Sequence, residues 1–150
     1  VVTVTEKEII KGLNELCNCR VKCSSVHGVG LFAIRDLGKG TSIFGKPDPK
    51  IGAIHFFTHL QLKNLPEEIQ QLLYDYNFVS NTGIHLPDYA WNYHHLSSYI
   101  NHSDKPNISY NVNSNEFFVI RDIKKDVELL CNFEKDLENT EYKLKFLDNV

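Results

Sequence analysis

No stretch of this 150-residue chain approaches the roughly 18 consecutive apolar residues that a membrane-spanning helix needs. Nothing near the first residue pairs a basic cluster with an apolar run, so no secretory leader is expected. Positive charge is not in excess: 16 Lys and Arg against 19 Asp and Glu leave a net charge of −3. That balance speaks against direct nucleic-acid binding and is compatible with a basic peptide partner. Internal repeats and low-complexity tracts are absent from the pattern. Cysteine is sparse, with Cys17, Cys19, Cys23 and Cys131. Two disulfides in a secreted protein are one reading, and Asn101-His102-Ser103 and Asn107-Ile108-Ser109 match glycosylation sequons. Without a leader, and with a core that needs no staples, reduced thiols in an intracellular protein of nucleus or cytoplasm are expected. The Cys-x-Cys-x3-Cys spacing raises zinc, but no fourth ligand follows at the usual short spacing. His27 is the nearest candidate and Cys131 lies far off in an apolar strand, so no metal is expected.

What is present suits one globular domain with a real core, at 42% apolar content. Thr5 followed by Glu8 forms a capping box ahead of Ile9, Ile10, Leu13 and Leu16 at helical spacing. Residues 1–18 therefore read as a strand-like start and a short helical extension. The main domain covers 19–135, with an insert over about 46–96 and a C-terminal helix over 136–150. Strand texture runs from Cys19 to Phe44, broken at His27-Gly28-Val29-Gly30 and again at Asp36-Leu37-Gly38-Lys39-Gly40. No helical pattern follows the Gly-x-Gly, which argues against a dinucleotide-binding turn. Lys46–Lys50 reads as a linker. A helix begins after Asn64-Leu65-Pro66 with Ile69, Leu72, Leu73 and Tyr76 on one face. Residues 77–97 read as irregular and aromatic, holding Tyr89, Trp91, Tyr93, His94 and His95. Residues 108–112 and 116–120 flank Asn113-Ser114-Asn115 as a hairpin, and Val127–Phe133 reads as the last strand.

The segment Ser98-Tyr99-Ile100-Asn101-His102-Ser103-Asp104-Lys105-Pro106-Asn107 crowds turn-forming residues behind an apolar entry, so a compact hydrogen-bonded turn is expected. Three blocks in order, His27–Ala33 with Leu37–Gly40, Tyr99–Asn107, and Phe118–Ile123 with Val127–Phe133, resemble the SET-domain protein-lysine methyltransferases. The resemblance spans about residues 20–133. It implies a mainly β fold of several short curved sheets, with a knot-like crossing of the Asn-His-Ser segment and the C-terminal strand, a helical insert and flanking helices. It implies S-adenosylmethionine as cofactor, contacted by His27, Gly28, Val29, Gly30, Asn101, His102 and Phe133. It also implies a lysine-bearing protein or peptide as substrate, a histone tail among the candidates, with no direct nucleic-acid partner and no membrane. Cofactor and peptide would meet at a narrow channel walled by Tyr99, Cys131 and Phe133, the residues placed at the chemistry. On the residues alone, Asn101 as a turn former, His102 as a buried histidine and Phe133 as core stay open.

The chain departs from the family where the amine reacts. Phe133 stands where the family carries a tyrosine, Asn132 replaces the aspartate before it, and Cys131 replaces an aromatic. Ser98 stands where an arginine is usual, and no cysteine-rich segment follows. The final helix, with Tyr142 or Phe146, would cover the adenine side instead. The resemblance implies in-line displacement at a sulfonium by a neutral lysine amine, whose free pKa is ~10.4. Apolar walls and the nearby positive sulfur lower that value, and alignment in a dry channel does most of the rest. Losing one positioned polar group costs ~3 kcal/mol, about a hundredfold in rate. Phe133 thus implies a slow enzyme, one rescued by Tyr99, Tyr110 or Tyr142, or a non-catalytic module that binds cofactor, a lysine peptide or a protein partner. A metal hydrolase is a third class, because His55 and His59 have i, i+4 spacing, but Phe56 stands where the general base belongs. Cys131 leaves more room than an aromatic. Mass analysis of methylated peptides is therefore expected to show di- or trimethyl-lysine, and monomethyl product alone would refute this.

Overall fold

A computed structural model describes residues 5–45, 54–77, 79, 81–87, 95–111 and 113–136. In chain order its elements are α1 (Glu6–Leu16), β1 (Cys19–Cys23), β2 (Val29–Ala33), β3 (Ile54–Thr58), α2 (His59–Leu62), α3 (Glu67–Tyr76) and β4 (Gly83–Pro87). A 3-10 turn (Leu96–Tyr99), β5 (Asn101–His102), β6 (Ile108–Asn111), β7 (Glu116–Val119), β8 (Leu130–Cys131) and α4 (Phe133–Asp136) follow. Two compact units form, residues 1–47 with 100–132, and residues 48–99 with 133–150. The architecture is mainly β, as expected.

In the first unit the helix α1 starts at its capping box. Thr5 Oγ1 accepts from the Glu8 amide, and the Glu8 carboxylate accepts from the Thr5 amide at 2.8 Å. Its last turn is closed from outside, because the Arg35 guanidinium donates to the carbonyls of Asn14 and Cys17, both at 2.6 Å. These end contacts satisfy the open backbone groups of the helix. Burial contributes little, since Ile9, Ile10, Leu13 and Leu16 are each more than half exposed.

β1 and β2 form an antiparallel hairpin with Val21 opposite Leu31 and Lys22 opposite Gly30. Its turn closes with the Ser24 amide donating to the Gly28 carbonyl, and Gly28 takes φ +47° there. A four-stranded sheet has the order β5-β8-β6-β7. β8 lies parallel to both β5 and β6, and β6 and β7 form the expected antiparallel hairpin. In the turn of that hairpin, Asn111 Oδ1 accepts from the amides of Asn113 and Ser114, and Asn115 takes φ +54°. Leu31, Ala33, Ile43, Ile108, Leu129 and Cys131 are fully buried at the centre of the unit. The last strand differs from expectation: only Leu130 and Cys131 join the sheet, and Phe133 opens α4. Residues 126–129 pair with β2 instead, through Ala33 N to Val127 O, Asp126 N to Ala33 O and Leu129 N to Leu31 O.

The structure also corrects the absence of a repeat. Phe32-Ala33-Ile34-Arg35-Asp36-Leu37 and Phe118-Val119-Ile120-Arg121-Asp122-Ile123 occupy equivalent places and bond each other reciprocally. Leu37 and Ile123 exchange both backbone hydrogen bonds at 2.8 Å. The Lys39 amide donates to Asp122 Oδ1, and the Lys125 amide to Asp36 Oδ1. Gly40 N donates to Val119 O, as Asp126 N does to Ala33 O. Past the shared Phe-x-Ile-Arg-Asp only Lys39 and Lys125 still match while the backbone pairing persists, which hides the repeat from pattern reading. Lys124 adds an ion pair to Asp36 at 2.8 Å, which holds the Asp36 carboxyl below its ordinary range.

The second unit pairs β3 with β4 antiparallel, Phe57 opposite Ile84. The expected irregularity of 77–97 is thus interrupted by a strand, which β3 supplies with a partner across the helices. His55 lies in β3 and His59 opens α2, so the pair does not share a helix face. α3 follows Pro66 as expected, but its buried side is turned. Leu73 and Tyr74 pack on Leu62, Val79 and Ile84, whereas Ile69 and Leu72 are 41% exposed. His95 serves the 3-10 turn: its Nδ1 accepts from the Ser97 amide, and its carbonyl accepts from Ser98 N. Lys46–Lys50, Tyr89, Trp91, Tyr93, His94 and the C-terminal helix beyond Asp136 lie outside the described residues.

Gly40 at φ +89° and Asp126 at φ +66° hold the same place in the two repeats. Asp tolerates that left-handed geometry and a β-branched residue does not. Gly40→Val is expected to lose about 1–3 kcal/mol in urea unfolding. In Asp126→Gly, strain relief offsets loss of the exposed pairs to Arg20 and Lys22, leaving a change under about 1 kcal/mol. The opposite ranking would overturn the equivalence.

Candidate functional site

Asn101 stands at the centre of the first unit's polar chemistry. β5 pairs its backbone with Leu130, which leaves the side chain facing the β1–β2 turn. Its Nδ2 lies 3.1 Å from the His27 carbonyl, 3.0 Å from the Val29 carbonyl and 2.8 Å from Glu128 Oε1. All three are acceptors, so the amide has one workable orientation. The Glu128 carboxylate also receives the Ser24 hydroxyl at 2.8 and 2.9 Å, and Ser24 Oγ accepts from the amides of Val26 and His27. Gly30 is buried beneath this cluster, and a Cβ there would overlap the Glu128 carboxylate. The second glycine of Gly28-Val29-Gly30 is therefore needed for close approach rather than for a positive φ. Gly28 supplies the positive φ.

The crossing next to the site is held by Asn107. Its Nδ2 donates to the Glu128 carbonyl at 2.7 Å and its Oδ1 accepts from Leu130 N at 2.8 Å. Its own amide donates to the Leu130 carbonyl. One side chain thus completes a ladder along the strand that carries Glu128. The Arg121 guanidinium donates to the Pro106 carbonyl and ties the same turn.

This geometry goes with a sequence match. A family model described as SET domain covers residues 28–134. The chain belongs to the SET-domain family. No curated protein matches the chain. Among solved structures it is similar to an Ezh2 mutant in the apo Polycomb Repressive Complex 2 of Chaetomium thermophilum. That likeness has 26% identity over 81% of this chain and 15% of the other, with a TM-score of 0.55. A humanized mutant of the same complex bound to an inhibitor has 25% identity over 81% of this chain and 15% of that one, with a TM-score of 0.53. The complex bound to trimethylated histone H3 has 25% identity over 79% and 14%, with a TM-score of 0.52. The chain spans about 15% of the length of these Polycomb chains.

Within this SET domain the structure brings His27, Gly28, Val29, Gly30 and Asn101 into one cluster. His102 follows Asn101 in β5, with its Nε2 3.8 Å from Asp104 Oδ1. Its Nδ1 is buried and has no hydrogen-bond partner among the described residues. Cys131 is fully buried in β8. Tyr99 and Phe133 belong to the second unit, Tyr99 closing the 3-10 turn with its ring 5.8 Å from that of Tyr76, and Phe133 opening α4. Of the tyrosines considered as substitutes, Tyr110 donates to Asn115 Oδ1 at 2.6 Å in the β6–β7 turn. Tyr142 lies outside the described residues.

Sequence reading missed Ser24, Glu128 and Asn107 as site residues. A signal existed for Glu128, a charge inside the otherwise apolar run Val127–Leu130. Ser24 carried a weaker one, as a hydroxyl opening a glycine turn. Among the described residues no cluster of three or more His, Cys, Asp or Glu side chains could hold a metal. Cys17 and Cys23 are exposed, while burial and then the neighbouring Cys17 push the Cys19 thiol up to about 11. No helix among the described residues is long and apolar enough to cross a membrane.

Asn107→Ala removes both side-chain bonds to the strand that carries Glu128. It is expected to lower stability by about 2–3 kcal/mol in chemical unfolding. Asn113→Ala, in the exposed hairpin turn, should stay within about 0.5 kcal/mol. Equal losses would refute the role given to Asn107.

Proposed function

We propose that this SET domain binds S-adenosylmethionine and transfers its methyl group to the side-chain amine of a lysine in a protein. The observation that carries the reading is Asn101 bound to the carbonyls of both His27 and Val29. That contact holds together the glycine turn that the resemblance assigns to the methionine part of the cofactor. The residues fit such a ligand in a second respect, because the buried Nδ1 of His102 has no hydrogen-bond partner among the described residues. His27, Gly28, Val29, Gly30, Asn101 and His102 would hold the cofactor, with Phe133 as the aromatic end of the set. When bound, S-adenosylmethionine supplies a methyl group on a positively charged sulfur.

The chain's own residues then have three tasks. Asn101 keeps the turn rigid, so that ordering it costs nothing at binding. An apolar wall of the kind the resemblance assigns to Phe133 would favour a neutral lysine amine over the ammonium. Phe133 offers no hydroxyl to orient that amine, so alignment rests on shape and on backbone carbonyls. The likeness to a Polycomb complex bound to trimethylated histone H3 supports a histone tail as substrate and a nuclear or cytoplasmic location. The competing reading is a SET module that binds cofactor, a lysine peptide or a protein partner without turnover. Phe133 is the observation that favours it, since a fold does not fix an activity.

Calorimetry with S-adenosylmethionine, followed by transfer to a panel of lysine peptides, separates the two. Binding with slow turnover is expected, rising by about tenfold to a hundredfold in Phe133→Tyr as one hydroxyl is restored. Binding with no turnover, in the wild type and in Phe133→Tyr alike, would leave the binding module. No binding of cofactor would end the methyltransferase reading.

A further inference from the structure

Glu128 has no part in the function proposed above, yet its carboxylate accepts from both Ser24 and Asn101. We infer that Glu128 is a positioning residue, whose carboxylate sets the turn from Ser24 to Gly30 in its cofactor-receiving shape and requires glycine at position 30. The inference rests on the proposed cofactor site for its binding consequence, and on hydrogen bonding alone for its structural one.

Ser24 has a single hydroxyl hydrogen, and both Glu128 oxygens stand within 2.9 Å of its Oγ. A carboxylate accepts and cannot donate, so it commits that hydrogen to itself. The Ser24 lone pairs are then left to the amides of Val26 and His27 at 2.9 and 3.3 Å and to Asn101 Nδ2 at 3.2 Å. Glu128 thereby sets the direction of a hydroxyl that it does not share with the backbone. The same carboxylate takes one of the two Asn101 Nδ2 hydrogens at 2.8 Å, which leaves the other to the His27 and Val29 carbonyls. Hydrogen bonds to an ionised acceptor are stronger than neutral ones, so these two contacts outrank their competitors. Replacing the carboxylate with a methyl group leaves both donors free to turn elsewhere.

The repeat within the first unit supplies an internal comparison. Phe32 bridges to Glu128, and the equivalent Phe118 bridges to Ser42. Where the first repeat has Gly30 against Glu128, the second has Glu116 against Ser42, joined from Ser42 Oγ to Glu116 Oε1 at 3.3 Å. Carboxylate and small residue have exchanged strands. At Glu116 the side chain springs from the hairpin itself and is 8% exposed. At Gly30 the hairpin leaves its side-chain place empty, and the carboxylate enters from the facing segment within reach of the turn.

The test uses the full chain with Glu128→Ala, Ser24→Ala, Gly30→Ala and the double variant Gly30→Ala/Glu128→Ala. S-adenosylmethionine binding is read by calorimetry, and amide hydrogen exchange is read in parallel. Glu128→Ala is expected to weaken binding by about tenfold or more, the loss of charge-assisted bonds, and Ser24→Ala by less. In the absence of cofactor, exchange at Val26 and His27 should quicken in both variants, while β6 and β7 keep wild-type protection. Gly30→Ala should also weaken binding. The double variant should bind better than Gly30→Ala, because the overlapping carboxylate is gone. Binding within twofold of wild type in Glu128→Ala, or a double variant as weak as the product of its singles, would overturn the inference. If the wild-type chain fails to bind S-adenosylmethionine, the proposed function falls and the exchange readout decides alone. Unchanged exchange at Val26 and His27 would then overturn the role of Glu128.

Discussion

The short crossing at residues 103–107 constrains everything else in the first unit. It carries the chain from β5, on one side of β8, to β6 on the other, with both strands parallel to β8. A parallel connection ordinarily takes about a dozen residues and a helix. Here the chain can make it so briefly only because Asn107 replaces missing ladder bonds with its side chain. Asn101 at one end of the crossing and Glu128 beside its other end are thereby brought to the same glycine turn. The polar cluster is a consequence of the topology, since neither residue is near His27 in sequence.

Around that crossing the first unit is built from two similar excursions that clasp each other. Their reciprocal bonds, Leu37 with Ile123 and each aspartate with the other repeat's lysine amide, give the unit a core fixed from two directions. Symmetry of backbone has not meant symmetry of use. The repeat holding Gly30 opens its hairpin to a carboxylate from outside, and the one holding Glu116 closes its own. The two pseudo-equivalent positions therefore differ, one receiving a carboxylate from the facing segment and the other carrying its own.

Belonging to the SET family accounts for the scaffold, and the departures define what is particular to this chain. Phe133 puts an aromatic ring at the first turn of α4, where the resemblance expects a tyrosine. Cys131 is buried and small, while Asn132, also buried, holds the place of a carboxylate. By the resemblance, phenylalanine at 133 and asparagine at 132 make the end of the last block less polar or less charged, and cysteine at 131 makes it smaller. The cluster about Asn101 stays polar: its Nδ2 and the Ser24 hydroxyl both donate to Glu128.

What the sequence determined by itself was local or carried by fixed spacing. The capping box at Thr5 and Glu8, the β6–β7 hairpin around Asn113–Asn115, the glycine turn and the ordered blocks of the family all follow from neighbours in the chain. So the mainly β class was legible, and so were Gly28–Gly30 and Asn101 as members of the candidate site. The tertiary structure decided what depends on partners distant in sequence. β4 exists because β3 lies beside it, residues 126–129 leave the expected last strand because β2 offers free backbone groups, and α3 turns its buried side toward Leu62 and Ile84. Glu128 and Ser24 are separated by most of the chain and meet only because the crossing draws β8 between β5 and β6. Spacing cannot reveal such a contact, since the hydrogen bonds that create it are made by the fold.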